Sequence, residues 1–345
     1  MMLKNKFALK NGYVILLVFI AAGIFPSDSR STDNDKFSPY IERFSNGRID
    51  WDNGMIYGIG KAYPDMNDGS RAMAARAARV TAMQSILKIS AGVNLDDQTV
   101  LDQLGKGQVL IHLKALIRPI DHSSEWKTEN NRPYIEITLK TPISGVEGLT
   151  AKLLGHLKNN TDIWHDFPKK IIAPEKEEDV ESWLVIDARG LARGKSIQPA
   201  LFPKIKSETG ETLYELKTVD EKALQNRGMA RYVVTDESKE HIEGQTNLSK
   251  ELLYAIQKLI SAKEALADEK KKKRSRFIVK DAIETEGISK VNLIISKDDA
   301  SQLKAEDASS MILKKCRIIV IVNSPIGGIK GCLDPLFFLS GIDRS

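Results

Sequence analysis

The sequence predicts an α+β protein, with an N-terminal β-α-β-β-α layer domain followed by a second α/β domain that closes on a strand-helix-strand unit. Three observations carry this. Ala75, Ala78, Ala82, Ile86 and Ile89 recur at three- and four-residue steps, which gives one small-residue stripe along a helix. Leu293–Ile295 and Ile318–Val322 are continuous apolar runs, the pattern of strands covered on both faces. Between the two regions, residues 167–181 (FPKKIIAPEKEEDVE) combine two prolines with mixed charge and read as a linker. The 345 residues are enough for two domains, each with its own core. The apolar share of 42% and charged share of 28% are ordinary for a globular chain.

The chain opens on a secretory signal pattern over residues 1–29. Lys4, Lys6 and Lys10 precede an unbroken apolar run, Tyr13–Phe25, which Pro26 ends, and Ser27 and Ser29 supply small residues for cleavage. The run's thirteen residues span only about 20 Å as a helix, short of a hydrocarbon core of roughly 30 Å. The expected location is therefore the periplasm, with at most peripheral membrane contact. The signal carries three lysines and one aspartate, so the remaining chain has a net charge of +3 rather than +5. That is too small a surplus for the electrostatic footprint of a nucleic-acid binder. The aromatic share of 6% also argues against a base-stacking platform.

Residues 30–50 are polar and read as a flexible leader, with the first ordered unit at 51–166. Met55–Tyr63 reads as a strand, ended by Pro64 and a turn-rich stretch to Gly69. Asp68 or Ser70 can cap the Ala-rich helix from Ser70 to about Ser90. Its Arg71, Arg76 and Arg79 read as solvated. Val109–Pro119 and Arg132–Thr141 follow as strands, with His122–Asn131 as the polar hairpin region between them, and then a helix over Gly145–Leu157.

The second domain, 182–323, begins with the buried-looking strand Trp183–Ile186 and the turn Asp187–Gly190, then a hairpin around Glu208-Thr209-Gly210 and a strand over Met229–Val234. Leu248–Ala267 reads as a helix running into the basic stretch 268–276 (DEKKKKRSR), a solvated end rather than a nucleic-acid site. Strands at Phe277–Ala282, Val291–Ser296 and Arg317–Asn323 flank a helix over Asp298–Lys315, capped by Ser296. The strand-helix-strand order makes a right-handed parallel crossover the expected connection. Residues 324–345 form a tail with the apolar group Leu336–Leu339.

The sequence offers little chemistry. His112, His122, His156, His165 and His241 form no metal-ligand spacing, and there is no nucleophile elbow or Walker loop. Gly58-Ile59-Gly60 follows a strand, but Tyr63 occupies the third glycine position of a dinucleotide fingerprint. The two glycines instead let the strand pass close to the Ala-rich helix. No cofactor or metal is expected. Asp187 and Arg189, at a strand exit, are the best candidates for a polar site and read as a locally paired turn; with Gly190 and Gly210 they are expected to be structural. Asn159 and Asn247 begin glycan sequons. Cys316 and Cys332 enclose fifteen residues, and in an exported chain they read as a disulfide. Such a bridge would contribute about 3 kcal/mol.

Leu184-Val-Ile-Asp-Ala-Arg-Gly-Leu191, Pro199–Lys204 and Gly210–Tyr214 together resemble a signature of uncharacterised bacterial envelope proteins. Residues 278–282, 293–300 and 316–322 resemble the same proteins. The first unit, with its glycine-bearing strand and Ala-rich helix, resembles the 20 kDa membrane-lipoprotein family and is similar to the N-terminal domain of the flagellar assembly protein T group. The resemblance implies an exported, non-enzymatic structural or assembly factor whose partners are envelope or flagellar basal-body proteins. One departure is that no cysteine precedes Cys316, so the lipid-anchor site of a lipoprotein is missing. Two other functions fit the residues: a periplasmic module binding a cell-wall or surface ligand in the groove between domains, and a hydrolase built on Asp187, Arg189 and a distant histidine.

Overall fold

Strand β1 (Phe37–Pro39) and strand β2 (Ile41–Phe44) are separated by one residue, Tyr40, yet they belong to different sheets. The computed structural model describes residues 37–66, 69–170, 182–192, 196–235 and 277–323. The stretch expected as a leader therefore supplies, from Phe37 onward, three strands: β1, β2 and β3 (Gly47–Asp50). Their segments are only three or four residues long, too short for a period to show in the sequence; the register comes from their neighbours.

The first sheet is antiparallel throughout. It contains β4 (Met55–Ala62), β5 (Ile120–Glu129) and β6 (Arg132–Pro142), in the order β2-β3-β4-β6-β5. Burial alternates along β4, with Ile56, Gly58, Gly60 and Ala62 facing inward. Helix α1 (Arg71–Ala91) lies on that face, capped by Ser70 accepting from the Met73 amide, and buries Ala74, Ala78, Ala82, Ile86 and Ile89. A methyl group on Gly60 would overlap the Ala78 carbonyl oxygen, and one on Gly58 the Ala82 carbonyl oxygen. The pair of glycines is thus the contact that lets helix and sheet touch backbone to backbone, as the sequence led us to expect.

Two expectations in this unit are corrected. The apolar run at Val109–Pro119 is not a strand: Gln108–Leu116 forms helix α2. Val109, Leu113 and Ile117 are buried at four-residue steps while Ile111 stays exposed, and an apolar run alone cannot separate that stripe from a strand. The polar region His122–Asn131 does belong to a hairpin, but most of it is strand β5 itself, exposed on both faces, so the strand before the turn is this polar stretch and not the apolar run. The turn to β6 is only Asn130-Asn131, both with positive φ, which asparagine tolerates and a tight hairpin requires. Helix α3 (Leu149–Leu157) completes the unit and packs on α2.

Among the described residues, the second sheet has eight strands. With β7 (Trp183–Asp187), β8 (Ile205–Ser207), β9 (Thr212–Tyr214), β10 (Arg231–Thr235), β11 (Phe277–Glu286), β12 (Asn292–Ile295) and β13 (Ile318–Asn323), the order is β1-β10-β13-β7-β11-β12-β8-β9. Strands β10, β13, β7 and β11 run parallel. The central residues of β7 and β13 are buried, in keeping with their continuous apolar runs. Helix α4 (Glu221–Arg227) is capped by Asp220, and helix α5 (Lys297–Ser310) by Ser296. Lys280 of β11 is 5% exposed, and its Nζ reaches Gln302 Oε1 at 2.6 Å and Asp299 Oδ1 at 3.2 Å on α5.

The expected parallel crossover across α5 does not occur. A turn with Gly287 at φ 96° folds β12 back antiparallel on β11, and β13 then inserts beside β7 on the far side of β11. Strands β12 and β13 are therefore antiparallel and separated by two strands. The helix expected at Leu248–Ala267, the basic run 268–276, most of the 167–181 linker, the signal and the tail lie outside the described residues. The α+β class holds.

Gly60→Ala is expected to cost about 2–3 kcal/mol or to prevent folding, because backbone cannot yield as a side chain does. Gly190→Ala, where a methyl would meet nothing within 4 Å, should stay within about 0.5 kcal/mol of the parent. Urea denaturation of both variants reads the difference.

Candidate functional site

The turn from β3 to β4 is shaped by Asp50, whose carboxylate accepts from the Asn53 amide at 2.8 Å and from Asn53 Nδ2 at 2.7 Å. This presents Trp51 and Asp52 to the second sheet. Asp52 is fully buried at its side chain, and its Oδ1 accepts from Arg231 Nη2 at 2.8 Å and Nε at 3.1 Å. The Arg231 Nε also reaches the Asp52 carbonyl at 3.2 Å. Beside this pair, the Tyr232 ring meets Tyr40 and Trp51 edge-on, with centroids 6.5 and 6.2 Å apart. The Trp51 Nε1 donates to Glu42 at 2.9 Å. Burial, and secondarily Glu42, pushes the Tyr40 hydroxyl up to about 12. Burial likewise raises Tyr232. Both hydroxyls thus stay protonated at any physiological pH.

Next to this contact is a cavity of about 330 Å³, walled by Trp51–Gly54 and Ile143–Ser144 from the first sheet and by Trp183, Ala200–Leu201 and Asn226–Arg231 from the second. This is the small end of the range for ligand pockets. Two indole rings, the Asn53 and Asn226 amides and the Ser144 hydroxyl make it suited to hold a compact polar group. The Asp52 carboxylate is already met by Arg231 and is no ready base. No pattern in the sequence marked this place. Asp52 and Arg231 are 179 positions apart, and only the Asp-Asn-Gly turn at 52–54 carried a local signal.

The residues singled out from sequence lie elsewhere. Asp187 and Arg189 do meet: Nε and Nη2 of Arg189 donate to the Asp187 carboxylate at 3.0 and 2.8 Å, and the Arg189 amide joins at 3.1 Å. Asn323, at the end of β13, donates to the Arg189 carbonyl at 2.8 Å. The group ties the ends of two parallel strands together. Gly190 has open space around it, and Gly210 takes φ 86° in the turn between β8 and β9, with its amide on the Ser207 carbonyl. His112 of α2 and His156 of α3 stack with centroids 4.0 Å apart, and His122 meets Tyr57 edge-on. His241 and Asn247 are outside the described residues. Among those described, no group of three or more His, Cys, Asp or Glu could hold a metal.

Cys316 is buried beside Tyr214, and burial pushes its thiol up to about 12 against the opposing effect of the Tyr214 hydroxyl. Cys332, its expected partner, lies outside the described residues. No described helix is long and apolar enough to cross a membrane.

Residues 183–324 match a family model described as the second domain of Treponema pallidum Tp0624. The match begins at β7 and takes in every described strand of the eight-stranded sheet except β1. It gives no support to the likeness with the 20 kDa membrane-lipoprotein family or the flagellar assembly protein T group. A search of curated proteins returned no match.

Arg231→Ala would strand a buried carboxylate and should cost about 3–5 kcal/mol. Asp187→Ala, at the more exposed turn, should cost about 1–2 kcal/mol. Chemical denaturation ranks the two, and a larger loss at Asp187 would contradict the ordering.

Proposed function

We propose that the chain is an exported envelope protein acting as a non-enzymatic structural or assembly factor through contacts with other proteins. The observation that carries this reading is the strap at residues 37–52. It adds β1 to one sheet, β2 and β3 to the other, and locks Asp52 onto Arg231. A chain spends a buried ion pair and three aromatic rings on this seam when the relative pose of its two sheets matters, as it does for a rigid spacer presenting fixed surfaces. The signal pattern at residues 1–29 supports export. The matched span, residues 183–324, supports a unit that recurs as one domain of a larger protein, since the model's description names a second domain. The envelope or flagellar basal-body partners suggested by resemblance belong to this proposal alone.

The seam cavity favours a second reading, a module that binds a small cell-wall or surface ligand between its sheets. Trp51, Trp183, Asn53 and Asn226 are side chains that would suit a saccharide ring.

Cell fractionation followed by crosslinking and mass spectrometry tests the first reading. Recovery outside the cytoplasm, with the same envelope proteins attached in repeat experiments, is the expected result. Recovery as a free monomer without neighbours would favour the second reading, and recovery in the cytoplasm would remove both.

A further inference from the structure

The face of the five-stranded sheet turned away from α1 carries a transverse row of cations. Strand register sets it: Arg43 on β2 pairs with Arg48 on β3, Arg48 with Tyr57 on β4, and Tyr57 with Lys140 on β6. Lys140 pairs with Ile120 on β5, where an irregularity between Asp121 and Ser123 swings His122 in, so that its ring meets Tyr57 with centroids 5.0 Å apart. Each strand thus contributes to one line, about 19 Å long at the usual strand spacing. The Arg48 guanidinium lies over the Tyr57 ring at 4.2 Å. Arg43 and His122 are exposed, and Arg48, Tyr57 and Lys140 half-buried.

The carboxylates of this face are engaged elsewhere. Asp50 is buried and holds Asn53, though its charge is felt at the Tyr57 hydroxyl; Glu125 and Glu136 both hold Lys127, and Glu129 holds Lys61 and Tyr63. No ion pair neutralises Arg43, Arg48 or Lys140 among the described residues. Burial, then Lys140 and Arg48, hold the His122 imidazole below its ordinary range, so the cations are close enough to feel one another. Like charges set side by side across strands destabilise a sheet, and Arg43 and Arg48 are paired in this way across β2 and β3.

We propose that this row is a binding surface for an acidic polysaccharide, an extended carboxylate-bearing glycan laid across the strands. Linear charge favours a linear polyanion. A nucleic acid would want free aromatic faces for its bases, and the Tyr57 ring has Arg48 over it and His122 against it. An anionic membrane would want a broader group of roughly four to eight basic residues. A peptide crossing the face would leave its backbone unpaired, since the sheet's own amides pair along its strands. A glycan has no such backbone, and its hydroxyls can stay hydrated.

The test is retention of the intact protein on immobilised polygalacturonate at low and physiological salt. Uncharged dextran, a single-stranded oligothymidylate and phosphatidylglycerol vesicles serve as the other arms. The expected result is binding to polygalacturonate alone, weakened by salt. The Arg48→Ala/Lys140→Ala double variant should bind about tenfold more weakly. Arg76→Ala/Lys88→Ala, on the solvent side of α1, removes the same charge and should bind as the parent does. Arg43→Gln, at an exposed edge position, gives a second reading free of any folding defect and should weaken binding about twofold to fivefold. In Lys140→Ala the His122 imidazole should titrate at higher pH by NMR. Equal retention of all variants would overturn the proposal, as would no retention of the parent, or a preference for the oligonucleotide or the vesicles.

Discussion

The contact on which the rest of the structure depends is the meeting of the Tyr40–Asp52 segment with Arg231-Tyr232. Thirteen consecutive residues provide two rings for Tyr232, a carboxylate for Arg231 and the turn that aims both. Neither the rings nor the ion pair would be stable singly in this position. A desolvated Asp52 needs a charged partner, and Arg231 puts two N–H groups on its Oδ1 from a strand held to the strap by the Tyr40 amide donating to the Tyr232 carbonyl at 3.2 Å. The seam is reinforced at its other end, where Leu201 and Phe202 donate to the carbonyls of Asn94 and Leu95. The two apolar cores therefore join into one continuous cluster. The cavity is the space left where these two lines of contact diverge.

How legible this was depended on whether an element's reasons were local. The Ala stripe and the glycines of β4 were readable because helix and strand each carry half of one fit: Ala78 needs Gly60, and both patterns are periodic. Strand β13 was readable because five buried residues in a row leave few alternatives. The strap was not, because Ser38, Glu42 and Arg48 are placed by partners in β10, β3 and β4 rather than by their own pattern. Helix α2 was mistaken for a strand because the exposed Ile111 hid its stripe. The parallel crossover was wrongly expected because a single turn, at Gly287, sets the direction of β12. Of the candidate sites, the Asp187–Arg189 pair was visible as neighbours in sequence, whereas Asp52 with Arg231 and the basic row exist only through register.

The two ends of the second sheet treat polar groups differently. At the carboxyl ends of β7 and β13, Asp187, Arg189 and Asn323 form an exposed-side knot that fastens strand exits. Deeper in, Tyr214 donates to the Met229 carbonyl at 2.8 Å and lies against Cys316, both groups held firmly neutral by burial. Such interior polar groups specify packing without offering reactivity, since a thiol that does not ionise is a poor nucleophile.

Strand β1 also bears on the order in which the molecule can assemble. Phe37 pairs with Thr235, almost two hundred positions later, so the earliest described strand waits for a segment about two thirds of the way along the chain. Contacts of such separation slow folding far more than they weaken the finished structure. Until β1 docks, β10 presents an open edge of five residues, including Tyr232, Val233 and Val234, to any strand nearby. Among the described residues of the 183–324 span, no strand takes the place of β1 on that edge. The strap is thus also an intramolecular guard, and a protein that shares the matched unit without an equivalent of residues 37–39 needs another way to close the same side.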